Sequence, residues 1–175
     1  VARFESGVAG VVVGQGGVAR GSLDSIDEWM NNTLNPDMFL STTENIASHG
    51  AHFPAAMQRE VESVAGVADV QAIRMPRIQF RGLPVMLISM EMAKVGRRVK
   101  RHMIAGDEAT MNRVAAEEKG VILSENLASL AKMRLGEVVE LPTPTGMLRL
   151  PVVGIIRDLS NQQGSILIER TAYIK

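Results

Sequence analysis

Apolar residues recur at spacings of three and four between Ser22 and Leu34. Leu23, Ile26, Met30 and Leu34 make one stripe, with Asp24, Asp27 and Glu28 opposite. The pattern predicts one amphipathic helix, which Asn35-Pro36 stops because the residue before a proline is pushed out of the helical region. Trp29 lies beside the stripe, where a ring packed against the domain is expected ahead of an anchor at a membrane interface. Met38-Phe-Leu-Ser-Thr42 then reads as a short strand.

The same reasoning extends along the chain. Pro54 opens a second helix, Met57, Val61 and Val64 follow at helical spacing, and Gly66 is expected to end it before a strand over Val67-Ala-Asp-Val-Gln-Ala-Ile73. Ile78 to Met90 reads as two strands around a turn at Arg81-Gly82. Asp107 is placed to cap a helix whose buried stripe is Met111, Val114 and Ala115 and which Gly120 ends. Val121 to Leu123 predicts a strand. Ser124 is a candidate cap for a helix carrying Leu127, Leu130 and Ala131 on one face, with Gly136 as its stop. Val138 to Leu141 and Leu148 to Ile156 should pair across a turn rich in Pro, Thr and Gly. Helices and strands mixed in this way predict an α+β fold.

Composition narrows the function without naming it. The 46% hydrophobic content of 175 residues allows one domain or two small subdomains with a sizeable core. Nineteen basic residues balance nineteen acidic ones, which argues against a dedicated nucleic-acid binder. Cysteine is absent, so thiolate metal sites and disulfides are excluded. Aromatics are only 3% while there are 11 methionines, so thioethers and aliphatic chains must fill a compliant core. The charge run Lys94-Val-Gly-Arg-Arg-Val-Lys-Arg-His102 lacks interleaved aromatics and reads as solvated surface.

Candidate chemistry is sparse. Gly14, Gly16 and Ala19 match the G-x-G-x-x-A spacing of a dinucleotide turn, but neither Asp37 nor Glu44 ends a following strand as the ribose carboxylate must. His49-Gly-Ala-His52 offers two ligands and His102 lies far off in sequence, so no metal site is expected. Neither G-x-S-x-G nor G-x-x-x-x-G-K-[ST] occurs. No catalytic residue, cofactor or metal is assigned, and the chain is not expected to be an enzyme. The charge-free segment Gly7 to Ala19 would reach about 20 Å as a helix, short of the roughly 30 Å of a hydrocarbon core, so residues 1–21 read as a membrane-helix remnant or a glycine-rich leader.

Four stretches together resemble the extracytoplasmic region of FtsX-like ABC-transporter permeases, the MacB/LolC/LolE group. They are Asp27-Glu-Trp-Met30 with Leu34-Asn-Pro-Asp37, the junction Glu62-Ser-Val-Ala-Gly-Val-Ala-Asp-Val70, the run Gly120 to Leu141, and Leu148 to Asp158. The resemblance covers residues 22–175 and departs mildly at Ala65, where that family often has proline. It implies a MacB-like periplasmic core, with a mixed strand and helix subdomain and a smaller β-rich one, preceded by a stalk helix at about 22–35. It further implies a mechanical part of a permease in the plasma membrane. The domain would face the periplasm or the cell exterior, flanking helices would hold the membrane, and a separate ATPase subunit would hydrolyse ATP. Leu23, Ile26, Trp29, Met30 and Leu34 would carry the coupling. A periplasmic protein or lipoprotein is the implied partner outside, the permease would act as a homo- or heterodimer, and nucleic acid is not a partner. The alternative is a stand-alone binding module for a lipoprotein, peptide or hydrophobic ligand.

Overall fold

The computed structural model describes residues 37, 38, 40, 53–143, 146–158 and 161–174. The leader at 1–21, the stalk at about 22–35 with Leu23, Ile26, Trp29, Met30 and Leu34, the Gly14 to Ala19 motif, and His49 and His52 lie outside these residues. Of the strand expected at Met38 to Thr42, Met38 and Leu40 are described, and both are exposed and in no strand.

Strands β1 (Arg77–Phe80) and β2 (Leu83–Met90) form the hairpin read from the sequence, in register from Arg77 opposite Met86 to Phe80 opposite Leu83. Its turn residues Arg81 and Gly82 both have positive φ, at 49° and 77°, which matches the right-handed twist of the flanking strands. The remaining strands are β3 (Met103–Ala105), β4 (Val121–Ser124), β5 (Val138–Thr143), β6 (Gly146–Ile156) and β7 (Ser165–Glu169). They join in one sheet of order β1-β2-β7-β4-β6-β3, with β5 also on β6. Pairing is parallel between β2 and β7 and between β4 and β6, and antiparallel elsewhere. Five helices accompany the sheet: α1 (Ala55–Glu62), α2 (Met92–Arg98), α3 (Glu108–Ala116), α4 (Glu125–Leu130) and α5 (Arg170–Ile174). The α+β class holds.

The central strands β4 and β7 are buried at every residue, so both faces of the sheet must be covered. One face packs Val85, Leu87, Val121, Leu123, Ile166 and Ile168 against Leu127 and Ala128 of α4, Met133, and Val139 and Leu141 of β5. The other packs Met86, Ile88, Met90, Ile122 and Leu167 against Met92 and Val95 of α2 and Met111 and Ala115 of α3. The methionines therefore divide unevenly. Met86, Met90, Met92 and Met111 fill the face under α2 and α3, while the opposite face has only Met133 among its buried residues.

Five local expectations need correction. Residues 67–73 form no strand; their region touches the sheet through one bridge, Arg74 with Ser89. Gly136 does not end α4. That helix stops at Leu130 in a Schellman motif, where Lys132 takes the left-handed conformation (φ 52°) and Met133 N–H reaches Ala128 O at 2.8 Å. Leu130 is consequently 53% exposed, not on the buried face. Gly120 likewise does not end α3: Glu118 (φ 61°) makes the reversal, with Lys119 N–H to Val114 O at 3.1 Å, and Val114 is only half-buried. Glycine at 120 is required for another reason, because a Cβ there would lie 2.2 Å from Val153 Cγ1. The caps fare better. Asp107 accepts from Thr110 N–H at 2.8 Å and Ser124 from Leu127 N–H at 3.3 Å.

Gly120→Ala should lower the unfolding free energy by about 1–3 kcal/mol through overpacking against Val153. Adding Val153→Ala should recover most of that loss, and a double-mutant cycle in urea checks the coupling.

Candidate functional site

The most heavily bonded polar region lies where α1, the segment before β1, α2 and the β7–α5 corner meet. Glu91 stands just ahead of α2. Its carboxylate accepts from Lys94 Nζ at 2.6 Å and Gln58 Nε2 of α1 at 3.3 Å, and lies 3.4 Å from Arg170 Nη1 at the start of α5. Arg170 Nη1 also donates to Gln58 Oε1 at 2.6 Å. Lys94 reaches Asp69 at 3.2 Å and donates to Val70 O, and Arg98 reaches Asp69 at 3.2 Å. Glu169, buried at the end of β7, accepts from the free Met92 N–H at the α2 N-terminus at 2.8 Å and from Arg170 N–H at 3.0 Å. This clasp ties the segment entering the sheet to the helix leaving it.

The clasp sets the ionisation of its members. Burial alone would raise the Asp69 carboxyl, but Lys94 and Arg98 outweigh it and hold it below the ordinary value. The hydrogen bond to Glu91 is the largest influence on Lys94 and holds its ammonium above the ordinary range. Asp69 thus stabilises the fold fully above the ordinary carboxylate pKa of 3.8, and its contribution is lost as pH falls through the lowered folded value. Lys94 contributes below 10.5 and ceases to do so only as pH rises through its raised value.

The charge run read as solvated surface is divided. Lys94 and Arg98 serve the clasp, Arg97, Lys100 and His102 are exposed, and Arg101 is buried at 9% exposure. Burial pushes the Arg101 guanidinium down to about 10, against the opposing pull of Asp158 and Glu108. It donates to Met90 Sδ at 3.7 Å, while its Nε and Nη1 find no partner among the described residues. Nearby Ser165 Oγ donates to Asp158 Oδ2, and Ser165 N–H donates to Ser124 Oγ at 2.8 Å. These bonds lock β4, α4 and the start of β7 together. Both serine hydroxyls are engaged in bonds that hold the fold, Ser124 Oγ accepting from Leu127 and Ser165 N–H and Ser165 Oγ donating to Asp158.

At the far side of the sheet, Gln79, Phe80 and Arg81 face Val138, Glu140 and Met147 across a cleft of about 350 Å³. Val138 and Met147 are 48% and 54% exposed. Arg81 donates to Ala131 O at 3.1 Å and its guanidinium lies 5.6 Å from the Phe80 ring centroid, while Glu140 pairs with Arg149 at 3.0 Å. Among the described residues no group of three or more His, Cys, Asp or Glu side chains could hold a metal ion.

With 26% identity over 155 residues, the chain aligns with an uncharacterized ABC transporter permease protein, Rv0987, of Mycobacterium tuberculosis strain H37Rv. This chain is similar to part of an ABC transporter permease. The alignment covers 85% of the chain but 18% of that permease, so the chain spans less than a fifth of its relative's length. Two solved structures also align. The periplasmic region of MacB from Actinobacillus actinomycetemcomitans does so with TM-score 0.43 and 13% identity, over 67% of this chain and 55% of that one. The extracellular domain of the noncanonic ABC-type transporter YknZ from Gram-positive bacteria does so with TM-score 0.45 and 14% identity, over 68% and 63%. No family model matches the chain.

None of the five stalk residues falls among the described residues, and the clasp was missed in the sequence. Its members sit on four separate segments, and the only local hint was Glu91 three residues before Lys94. Asp69→Asn should cost about 1 kcal/mol or less at neutral pH, since the pair is part-exposed. Urea unfolding at a series of pH values should show the difference from the parent shrinking below pH 3.8.

Proposed function

We propose that this chain is the extracytoplasmic domain of an FtsX-like ABC transporter permease subunit, and that it relays motion of flanking membrane helices to a partner outside the membrane. The observation that carries the reading is the similarity to an ABC transporter permease along 85% of the chain. The clasp supports it physically. A domain inserted between membrane helices receives motion through its entering and leaving segments, and here Gln58 of the first described helix is bonded to Arg170 of the last. Such a joint makes the two segments move as one body, which is what a rigid relay requires.

In this proposal the stalk at about 22–35 is the rod, with Leu23, Ile26, Trp29, Met30 and Leu34 packed against a neighbour so that a shift at the membrane reaches the head. ATP would be hydrolysed by a separate subunit. Among the described residues no helix is long and apolar enough to cross a membrane, so the membrane contact is assigned to flanking segments of the permease. The domain would face the periplasm or the cell exterior, where a protein or lipoprotein partner would meet it.

Ile26→Asp or Met30→Asp, placed in the intact permease reconstituted with its ATPase, should lower transport about tenfold while ATP hydrolysis continues, as expected when coupling energy of 1–3 kcal/mol is lost. Transport at the parent rate in both variants would reject the relay.

A further inference from the structure

The chain between α2 and α3 is extended and two-faced. Val99 leaves α2 in an extended conformation, and burial alternates from there to Ala105. Val99 and Arg101 are buried, Met103 and Ala105 half-buried, and Lys100, His102 and Ile104 exposed. A period of two is that of a strand with one face on a core. Gly106, at φ 97°, turns the chain away towards α3. Within this segment β3 takes up only Met103–Ala105. It stands at the end of the strand order, pairs with β6 among the described residues, and shifts register between Met103 and Ala105. A bond from Arg157 N–H to His102 O at 2.9 Å extends the pairing backwards.

The inward side chains of this segment pull in opposite directions. Val99 belongs to the methionine-rich core under α2 and α3, and Met103 packs against it. Arg101 puts a charge into that core. Its Nη2 donates to Met90 Sδ at 3.7 Å, a thioether being a weak acceptor, and its Nε and Nη1 have no hydrogen-bond partner among the described residues. The two carboxylates whose charge it feels are engaged elsewhere, since Asp158 Oδ2 accepts from Ser165 Oγ and Glu108 Oε1 from the Arg101 backbone N–H. Burying a guanidinium costs free energy unless its donors are met, and the fall of its pKa to about 10 has the same cause. Val99 and Met103 therefore favour a seated segment, and Arg101 a lifted one. Lifting residues 100–105 would return the guanidinium to water. Little apolar contact would be given up, because Met103 and Ala105 are only half-buried and Ile104 lies outward.

We propose that residues 100–105 form a strap that lifts from the sheet as a unit while the rest of the fold stays intact. Val99 and Gly106 are its hinges, and the buried Arg101 keeps the seated state shallow. Lifting breaks the bond between Arg157 and His102 and the short β3–β6 pairing, and it uncovers Met90, the 1% exposed side chain that Arg101 touches. The domain then has two states that differ in one element, and a partner that prefers either state shifts the balance between them. The strap is a property of this domain alone and needs neither ATPase nor membrane, so it stands or falls separately from the relay.

Native-state hydrogen exchange on the whole chain tests the strap. The Arg157 amide, bonded to His102 O, should exchange at least about a hundredfold faster than the amides of β4 and β7, and with little dependence on urea, because local opening exposes little surface. Arg101→Met removes the charge and keeps a flexible apolar chain, and it should slow exchange at Arg157 about tenfold. Arg101→Lys keeps a cation in the core and should leave that amide fast. Exchange at Arg157 as slow as in β4 and β7 of the parent overturns the proposal. So does an Arg101→Met variant that fails to slow it or fails to fold, since the guanidinium would then be what fastens the segment.

Discussion

Everything in this fold follows from two strands that have no solvent-facing side. β4 and β7 lie side by side with each residue buried, so the sheet had to acquire a complete core on both faces. Val121, Leu123, Ile166 and Ile168 commit one face, Ile122 and Leu167 the other. Two cores in a chain with few aromatics demand volume from elsewhere. Methionine supplies it under α2 and α3, where Met111 lies against Gly154 so closely that a Cβ at that glycine would sit 2.2 Å from the sulfur. The register shift between β4 and β6 falls at the same place, Val121 pairing with Val152 and Ile122 with Gly154.

Burying β7 on both faces also explains the clasp. Glu169 ends that strand inside the structure, and a buried carboxylate is tolerated only with donors around it. It obtains two backbone N–H groups, one from the α2 terminus and one from Arg170. From that corner the network spreads through Arg170 and Glu91 to Gln58, Lys94 and Asp69. Exposed pairs elsewhere, such as Lys119 with Glu117, are screened by solvent and position nothing. The clasp differs because its side chains are part-buried and bridge segments distant in sequence.

Much of the local structure was legible in the residues. Arg81-Gly82 marked a hairpin because only left-handed backbone fits its turn, and Ser124 and Asp107 marked helix starts because free N–H groups need a short oxygen-bearing side chain. The β5–β6 pairing was visible in its apolar runs. Glycines misled the reading. Gly120 and Gly136 looked like helix stops, while Glu118 and Lys132 took the left-handed positions within Schellman turns. The strand β7 was not read, although Ser165-Ile-Leu-Ile-Glu169 after Asn161-Gln-Gln-Gly164 has the form of a short buried strand after a turn. β3 and α5 are three and five residues long and carry too little periodicity to be seen.

The sequence alone determined the α+β class, the hairpins, the caps and a composition without thiols or net charge, since each depends on neighbours within a few positions. Tertiary structure decided the rest. Residues 67–73 look like a strand, yet they are held by Asp69 and Val70 on α2 and not by a ladder. Arg101 looks solvated by its neighbours and is buried by the fold. The clasp exists only once segments far apart in sequence are adjacent, and no local pattern of residues encodes which segments those will be.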